Sequence, residues 1–123
     1  MKYYVDIILQ GKEFNPEEVS NILGIKFRKF HKSGDYNERL KCNEIEGYGI
    51  LSSREELTTE DVIGKTISEY EEIYKLGEEK LGIEEKMFHL YVECLQNSFS
   101  LKTKYMKKIC NYFSEIEITI LDE

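Results

Sequence analysis

Phe14-Asn15-Pro16-Glu17-Glu18-Val19-Ser20-Asn21-Ile22-Leu23-Gly24 is a short helix written out with both of its ends. Asn15 can accept from the first free amides, Pro16 suits the first helical position, and Glu18 stands where a capping box places its acid. Phe14 and Val19 occupy the two positions of a hydrophobic staple, and Gly24 supplies the left-handed residue that ends a helix. Before this unit, Tyr3 to Gln10 alternates. Tyr3, Val5, Ile7 and Leu9 share one face, opposite Tyr4, Asp6, Ile8 and Gln10. A period of two describes a strand with one buried side and one mixed side. A strand running into a capped helix opens an α+β domain.

Outward from there, Ile25 to Phe30 reads as a strand or an ordered arm. The polar stretch Lys32 to Glu46 contains the turn signal Ser33-Gly34-Asp35. Gly47 to Ser52 is a second core strand that its glycines should weaken or bulge. A long helix is expected from Thr59 to Lys80, with Ile63, Ile67, Tyr70 and Tyr74 as its apolar stripe, Gly64 and Gly77 as weak points and Gly82 as a stop. Phe88, Leu90, Val92 and Cys94 form the core face of a third strand, with His89 on its other side. A helix from Leu101 to Phe113 should bury Leu101, Tyr105, Ile109 and Tyr112 or Phe113. Ile116, Ile118 and Ile120 then alternate with Glu117 and Thr119 in a last strand whose isoleucines are expected inside.

The halves match in pattern, each with an apolar strand, a Phe before a capping residue (Phe14-Asn15, Phe99-Ser100), a helix and a returning strand. Two such βαβ units predict a ferredoxin-like, four-stranded antiparallel sheet with helices on one face. The long helix would be an insertion between them. The 123 residues are expected to make a single domain.

Hydrophobic residues make up 41% and charged residues 33%, the balance of a folded chain rather than a disordered one. No apolar run approaches the ~20 residues of a membrane helix. The start, with Asp6 inside its apolar run, reads as a strand rather than a signal peptide. Cys42, Cys94 and Cys110 form no CxxC pair and leave an odd count. That fits a reducing, cytoplasmic setting, with Cys94 and Cys110 on core faces.

Signals for chemistry are sparse. His31 and His89 have no ligand spacing beside them, so no metal site is expected. There is no GxSxG elbow, no phosphate-cradling glycine loop, and no base placed against a nucleophile. Neither a cofactor nor enzymatic activity is expected. Charge is more informative. The net charge of −7 disfavours a general nucleic-acid binder. Between Glu55 and Glu85 eleven acids stand against three lysines, whereas Lys26 to Lys41 holds six basic residues and two acids interleaved with Phe27, Phe30 and Tyr36. Most such charges are solvated surface. The acidic stretch, with Glu69, Glu71, Glu72, Glu78 and Glu79, is the candidate docking surface for a basic partner. The basic arm, with Lys26, Arg28, Lys29, Lys32 and Lys41, is the alternative, binding phosphates with aromatics as stacking platforms.

Several of these stretches recur together elsewhere. Phe14-x-Pro16-x-x-Val19 leads to Leu23-Gly24-Ile25, then to Lys32-Ser33-Gly34-Asp35. An aromatic in a short strand follows (Tyr48 before Leu51-Ser52), then a long helix, then the Leu101 helix running into Ile116-x-Ile118-x-Ile120. The order resembles the bacterial family catalogued as domain of unknown function 4279, over nearly the whole chain. That family usually carries tryptophan where Tyr48 stands. The resemblance implies a small, stand-alone bacterial protein and brings no catalytic residues with it. Some members look like parts of toxin-immunity neighbourhoods. The functional expectation is therefore a non-enzymatic interaction protein, in its most concrete form an immunity-type protein that binds and neutralises a toxin. The alternative is a ligand- or nucleic-acid-binding module using the 26–41 arm.

Overall fold

A computed structural model describes residues 1–95 and 98–122. In chain order the elements are β1 (Lys2–Gly11), α1 (Pro16–Leu23), β2 (Lys29–His31), β3 (Tyr36–Asn37), β4 (Cys42–Asn43), β5 (Gly47–Ser52), α2 (Asp61–Leu76), β6 (Glu85–Glu93), α3 (Thr103–Tyr112) and β7 (Ile116–Leu121). Five strands form one sheet in the order β2-β5-β1-β6-β7, and β3 pairs with β4 in a small separate hairpin.

This sheet is not the four-stranded antiparallel ferredoxin-like one that the repeat pattern predicts. It is mixed: β1 runs antiparallel to both β5 and β6, β2 antiparallel to β5, and β7 parallel to β6. The second half is a true βαβ unit, with β6 and β7 as direct parallel neighbours. The first half is not. Between α1 and β5 the chain adds an edge strand and a hairpin, which reverse its direction, so β5 returns antiparallel beside β1. No hydrophobic period announces that reversal, because Lys32 to Glu46 is mostly polar and its Tyr36, Leu40 and Ile45 stand apart and exposed.

The core lies on one side of the sheet. Val5, Ile7 and Leu9 of β1, Leu51 of β5, and Phe88, Leu90 and Val92 of β6 pack against Val19 of α1, Ile63, Ile67, Tyr70 and Ile73 of α2, and Ile109 of α3. Alternation placed these strand residues correctly. Two stripes close differently from expectation. On α2 the stripe is completed by Ile73, fully buried, and Tyr74 is 48% exposed. On β7, Ile116, Ile118 and Ile120 are 37%, 46% and 50% exposed rather than inside. Cys94 is buried, whereas Cys110 is exposed on α3 and Cys42 is exposed in the hairpin.

α1 ends where its signals put it. The Asn15 side chain accepts from the Glu17 N–H at 3.1 Å, and Gly24 closes the helix with φ of 70°. Phe14 and Val19 both join the core. Asn15→Ala should lower stability by about 1 kcal/mol through the lost cap. Gly24→Val meets no atom within 4 Å but must hold a left-handed backbone, so it should lose about 1–2 kcal/mol from strain alone. Urea unfolding of both variants checks the pair; equal stability of Gly24→Val and the parent would remove the strain explanation.

The glycines of the two helical and strand interiors make close approaches rather than bends. Gly64 lets α3 press against α2: a Cβ there would lie 3.1 Å from the Tyr105 ring. The Tyr105 hydroxyl donates to Asp61 at the start of α2, and the backbone N–H of Lys102 donates to Glu60 at 2.5 Å. Two ties thus fix the N-terminal ends of α2 and α3 together. Bonding to Asp61, followed by burial, pushes the Tyr105 phenol up to about 12, while the same bond holds the Asp61 carboxyl below its ordinary value.

Candidate functional site

All three helices contribute to the core on one side, so the other side of the sheet lacks a helical layer. It is furnished by the alternate residues of each strand. Register lines Tyr4, Asp6, Ile8 and Gln10 up with Tyr91, His89, Met87 and Glu85 on β6, and Asp6, Ile8 and Gln10 with Ser52, Ile50 and Tyr48 on β5. Lys29 and His31 extend the face on β2, and Glu117 and Thr119 extend it on β7. Tyr4, Ile8, Tyr48, Met87, His89 and Tyr91 are each half-buried, and Ile50 among them is buried.

One half of this face is a polar network. Ser52 Oγ donates to Asp6 Oδ1 at 2.5 Å, and the Arg28 guanidinium crosses β5 to reach Ser52 Oγ at 2.8 Å and Asp6 Oδ2 at 3.2 Å. Burial, and then the Asp6 charge, raises the Tyr91 phenol above its ordinary value. The His89 ring stacks on Tyr91 with centroids 3.9 Å apart and shares a 2.8 Å hydrogen bond with the Thr119 hydroxyl. At the β2 edge His31 lies parallel to Tyr48, with centroids 5.2 Å apart, and faces Glu44 at 3.7 Å. These groups hold one another in place and brace the surface.

The other half opens into a groove of about 580 Å³. Ile8, Met87 and Tyr48 give it an apolar and aromatic part, Glu84, Glu85 and Glu115 bring three carboxylates, and Lys86, whose ammonium pairs with Glu78, also contributes to the lining. Gln10 donates to Glu85 at 2.7 Å and the Lys12 N–H to Glu84 at 2.9 Å, which fixes the positions of two of the three carboxylates. Apolar walls beside carboxylates are the chemistry that complements the stem and charge of a long cationic side chain.

The acidic residues singled out in the sequence differ in exposure and in contacts. Glu69 is exposed on α2. Glu71 accepts from the Tyr112 hydroxyl at 2.7 Å, and Glu72 pairs with Lys75 at 3.4 Å. Glu78 and Glu79 follow the end of α2, and only Glu79 of the two is exposed. Glu78 pairs with Lys86 at 2.9 Å. Lys86 also donates to the Tyr70 hydroxyl at 2.7 Å and sits 5.2–5.6 Å from the ring centres of Tyr70, Phe113 and Tyr74. A lysine on the core face of β6 thereby meets one carboxylate and three aromatic rings.

The residues of the basic arm differ likewise. Arg28 and Lys29 reach the uncovered face, Lys32 pairs with Glu17 at 3.4 Å, and Lys26 and Lys41 are exposed elsewhere. Phe27 is buried edge-on against Phe14, while Phe30 is 48% exposed. Among the described residues no three His, Cys, Asp or Glu side chains converge as a metal centre. No helix is long and apolar enough to cross a membrane.

Sequence reading did mark the second face of β1 as mixed and His89 as opposite the core. It misses the groove because Tyr48 enters only as the aromatic of a strand and Met87 is not singled out. Their signal was available: each falls on the non-core phase of a strand, yet each is large and apolar or aromatic. No family model, curated protein or solved structure matches the chain.

Proposed function

We propose that the protein is a non-enzymatic interaction module that docks a basic protein on the uncovered face of its sheet, seating an arginine or lysine of that partner in the Ile8–Tyr48–Met87 groove. The groove's combination of an apolar part with carboxylates carries this reading. Tyrosine, methionine and arginine around it are the residue types enriched where proteins meet. A chain of net charge −7 would also draw a basic partner in over long range. Neutralising a toxin is one form such docking takes. An odd count of three cysteines fits a cytoplasmic setting.

The test uses an isotope-labelled protein titrated with N-acetyl-arginine amide and, separately, with its uncharged citrulline analogue. Amide shifts at Ile8, Tyr48 and Met87 with arginine alone are the expected result. For a partner recovered from the native cell, reversing Glu85 and Glu115 to lysine should weaken binding at low salt at least roughly tenfold, and Glu72→Lys should change it little. Shifts that ignore the groove, or follow both probes equally, count against the reading. The rival is single-stranded nucleic acid laid across Tyr4, Tyr48 and Tyr91 with Arg28 and Lys29 on the phosphates. It predicts salt-dependent oligonucleotide binding, lost on reversing Arg28 and Lys29.

A further inference from the structure

The two ends of the sheet differ in kind. At one end β2 is three residues long and carries Lys29 and an exposed Arg28 beside it, the features that discourage a sheet from adding strands. At the other end β7 runs six residues, Ile116-Glu117-Ile118-Thr119-Ile120-Leu121, with no lysine or proline, and among the described residues its one strand partner is β6. A long apolar edge of that kind is a template for another strand.

Hydrogen-bond phase shows which groups face outward. The Cys94 N–H donates to Leu121 O, so the odd-numbered residues of β7 aim their backbone groups at β6. By alternation, Ile116, Ile118 and Ile120 turn their N–H and C=O groups to the free edge. Their side chains lie on the helix side, in register with the fully buried Phe88, Leu90 and Val92, yet stay 37–50% exposed. The flank of α3 above them is uncharged. Tyr105 and Tyr112 bond to Asp61 and Glu71 and so mark the side of α3 that faces α2. Met106 and Cys110 fall about 100° and about 140° round the helix from Tyr105, past the buried Ile109 and away from α2, and both are exposed. Lys104, Lys107 and Lys108 occupy the remaining arc.

We propose that β7 pairs antiparallel with β7 of a second copy of this chain, about a two-fold axis through Ile118. The pattern is self-complementary at that register. Ile116 meets Ile120 of the second copy, Ile118 meets its own equivalent, and Glu117 meets Thr119, so no like charges face each other. The residues brought opposite one another are those whose backbone groups point outward, and each such pair exchanges two hydrogen bonds. Six isoleucines then form one row beneath the Met106 and Cys110 flanks of both copies. An axis at Glu117 would set that carboxylate against itself, and an axis at Thr119 would set Ile116 against Asp122. The result is a continuous ten-stranded sheet with both grooves on the same side. This pairing stands independently of what the groove binds.

Interfaces of one strand per copy fall at the small end of specific contacts, so the dimer should form with a dissociation constant roughly in the micromolar range. Sedimentation of the full chain should show the mass rising from 14.6 kDa towards twice that value as concentration increases. Ile118→Lys should stay monomeric at every concentration with an unchanged circular-dichroism spectrum, because it places two lysines against each other at the axis. Ile22→Lys, an equally exposed change on α1, should dimerise like the parent. In a Cys42→Ser, Cys110→Ser background, Ile118→Cys should oxidise to a covalent dimer much faster than Ile22→Cys. A parent that stays monomeric up to about 100 μM, a dimer that survives Ile118→Lys, or equal cross-linking at positions 118 and 22 would each overturn the proposal.

Discussion

Raising the pH above 10 should unfold this protein cooperatively, well before its backbone chemistry suffers. Tyr70 is fully buried, and burial first, then Glu78, raises its phenol far above the ordinary value of 10.0. Tyr105 is pushed up to about 12, and Tyr3, Tyr48, Tyr91 and Tyr112 are raised as well. A raised folded-state value means that the folded protein holds the proton more tightly than the unfolded chain. The contribution is complete below pH 10 and is lost as the pH climbs from there towards the folded values. For Tyr70 alone the loss should reach about 3 kcal/mol by pH 12, a large share of the ~5–15 kcal/mol typical of a domain. Stability from urea midpoints across pH 8–12, read beside tyrosinate absorbance, measures it. Tyr70→Phe should flatten the alkaline limb while costing about 1 kcal/mol at neutral pH. An unaltered limb in that variant would show that Tyr70 does not drive the transition.

Gly47→Ala is expected to be the most damaging single methyl group in the chain. A Cβ at Gly47 would lie 1.7 Å from the carbonyl oxygen of Phe14, and Gly11, its register partner on β1, would put one 1.9 Å from Gly82 O. Both obstacles are backbone, so no rotamer change relieves them. The strand end or the Phe14 turn must move, and with it the residue that anchors α1 in the core. A loss of roughly 3–5 kcal/mol is expected. Gly34→Ala makes the control: φ is 93° there but nothing lies within 4 Å, so strain alone should lower stability by about 1 kcal/mol. If the two alanines prove equal, the close approach is not what makes Gly47 necessary.

How far the sequence spoke depended on whether a feature is local. α1 was legible to the residue because caps, staple and stop all lie within the stretch from Phe14 to Gly24. The core faces of β1 and β6 were legible because alternation needs only the strand itself. Strand order was not, since the reversal between α1 and β5 lies in Lys32 to Glu46, where a polar hairpin and a three-residue edge strand leave no period. Ile116 to Ile120 show a different limit. Alternation assigned them to the helix side correctly, but whether that side is covered depends on where α3 crosses, and no residue of β7 encodes that. Charge counting has a third limit, because it carries no contacts. Glu71, Glu72 and Glu78 count as one run of acids, and what each meets, Tyr112, Lys75 and Lys86, comes from the fold.

The middle position of β1 sets the order of synthesis against the order of assembly. Residues 2–11 leave the ribosome before either of their neighbours, residues 47–52 and 85–93. At about 5–20 residues per second, roughly 4–16 s pass between the end of β1 and the end of β6. Throughout that interval Tyr3, Val5, Ile7 and Leu9 have no complete layer to enter, and at least one backbone edge of β1 stays open. The nascent chain therefore carries an adhesive segment until residues 85–93 have been made. Chaperone dependence during translation, rather than marginal stability afterwards, is where this topology should limit its yield.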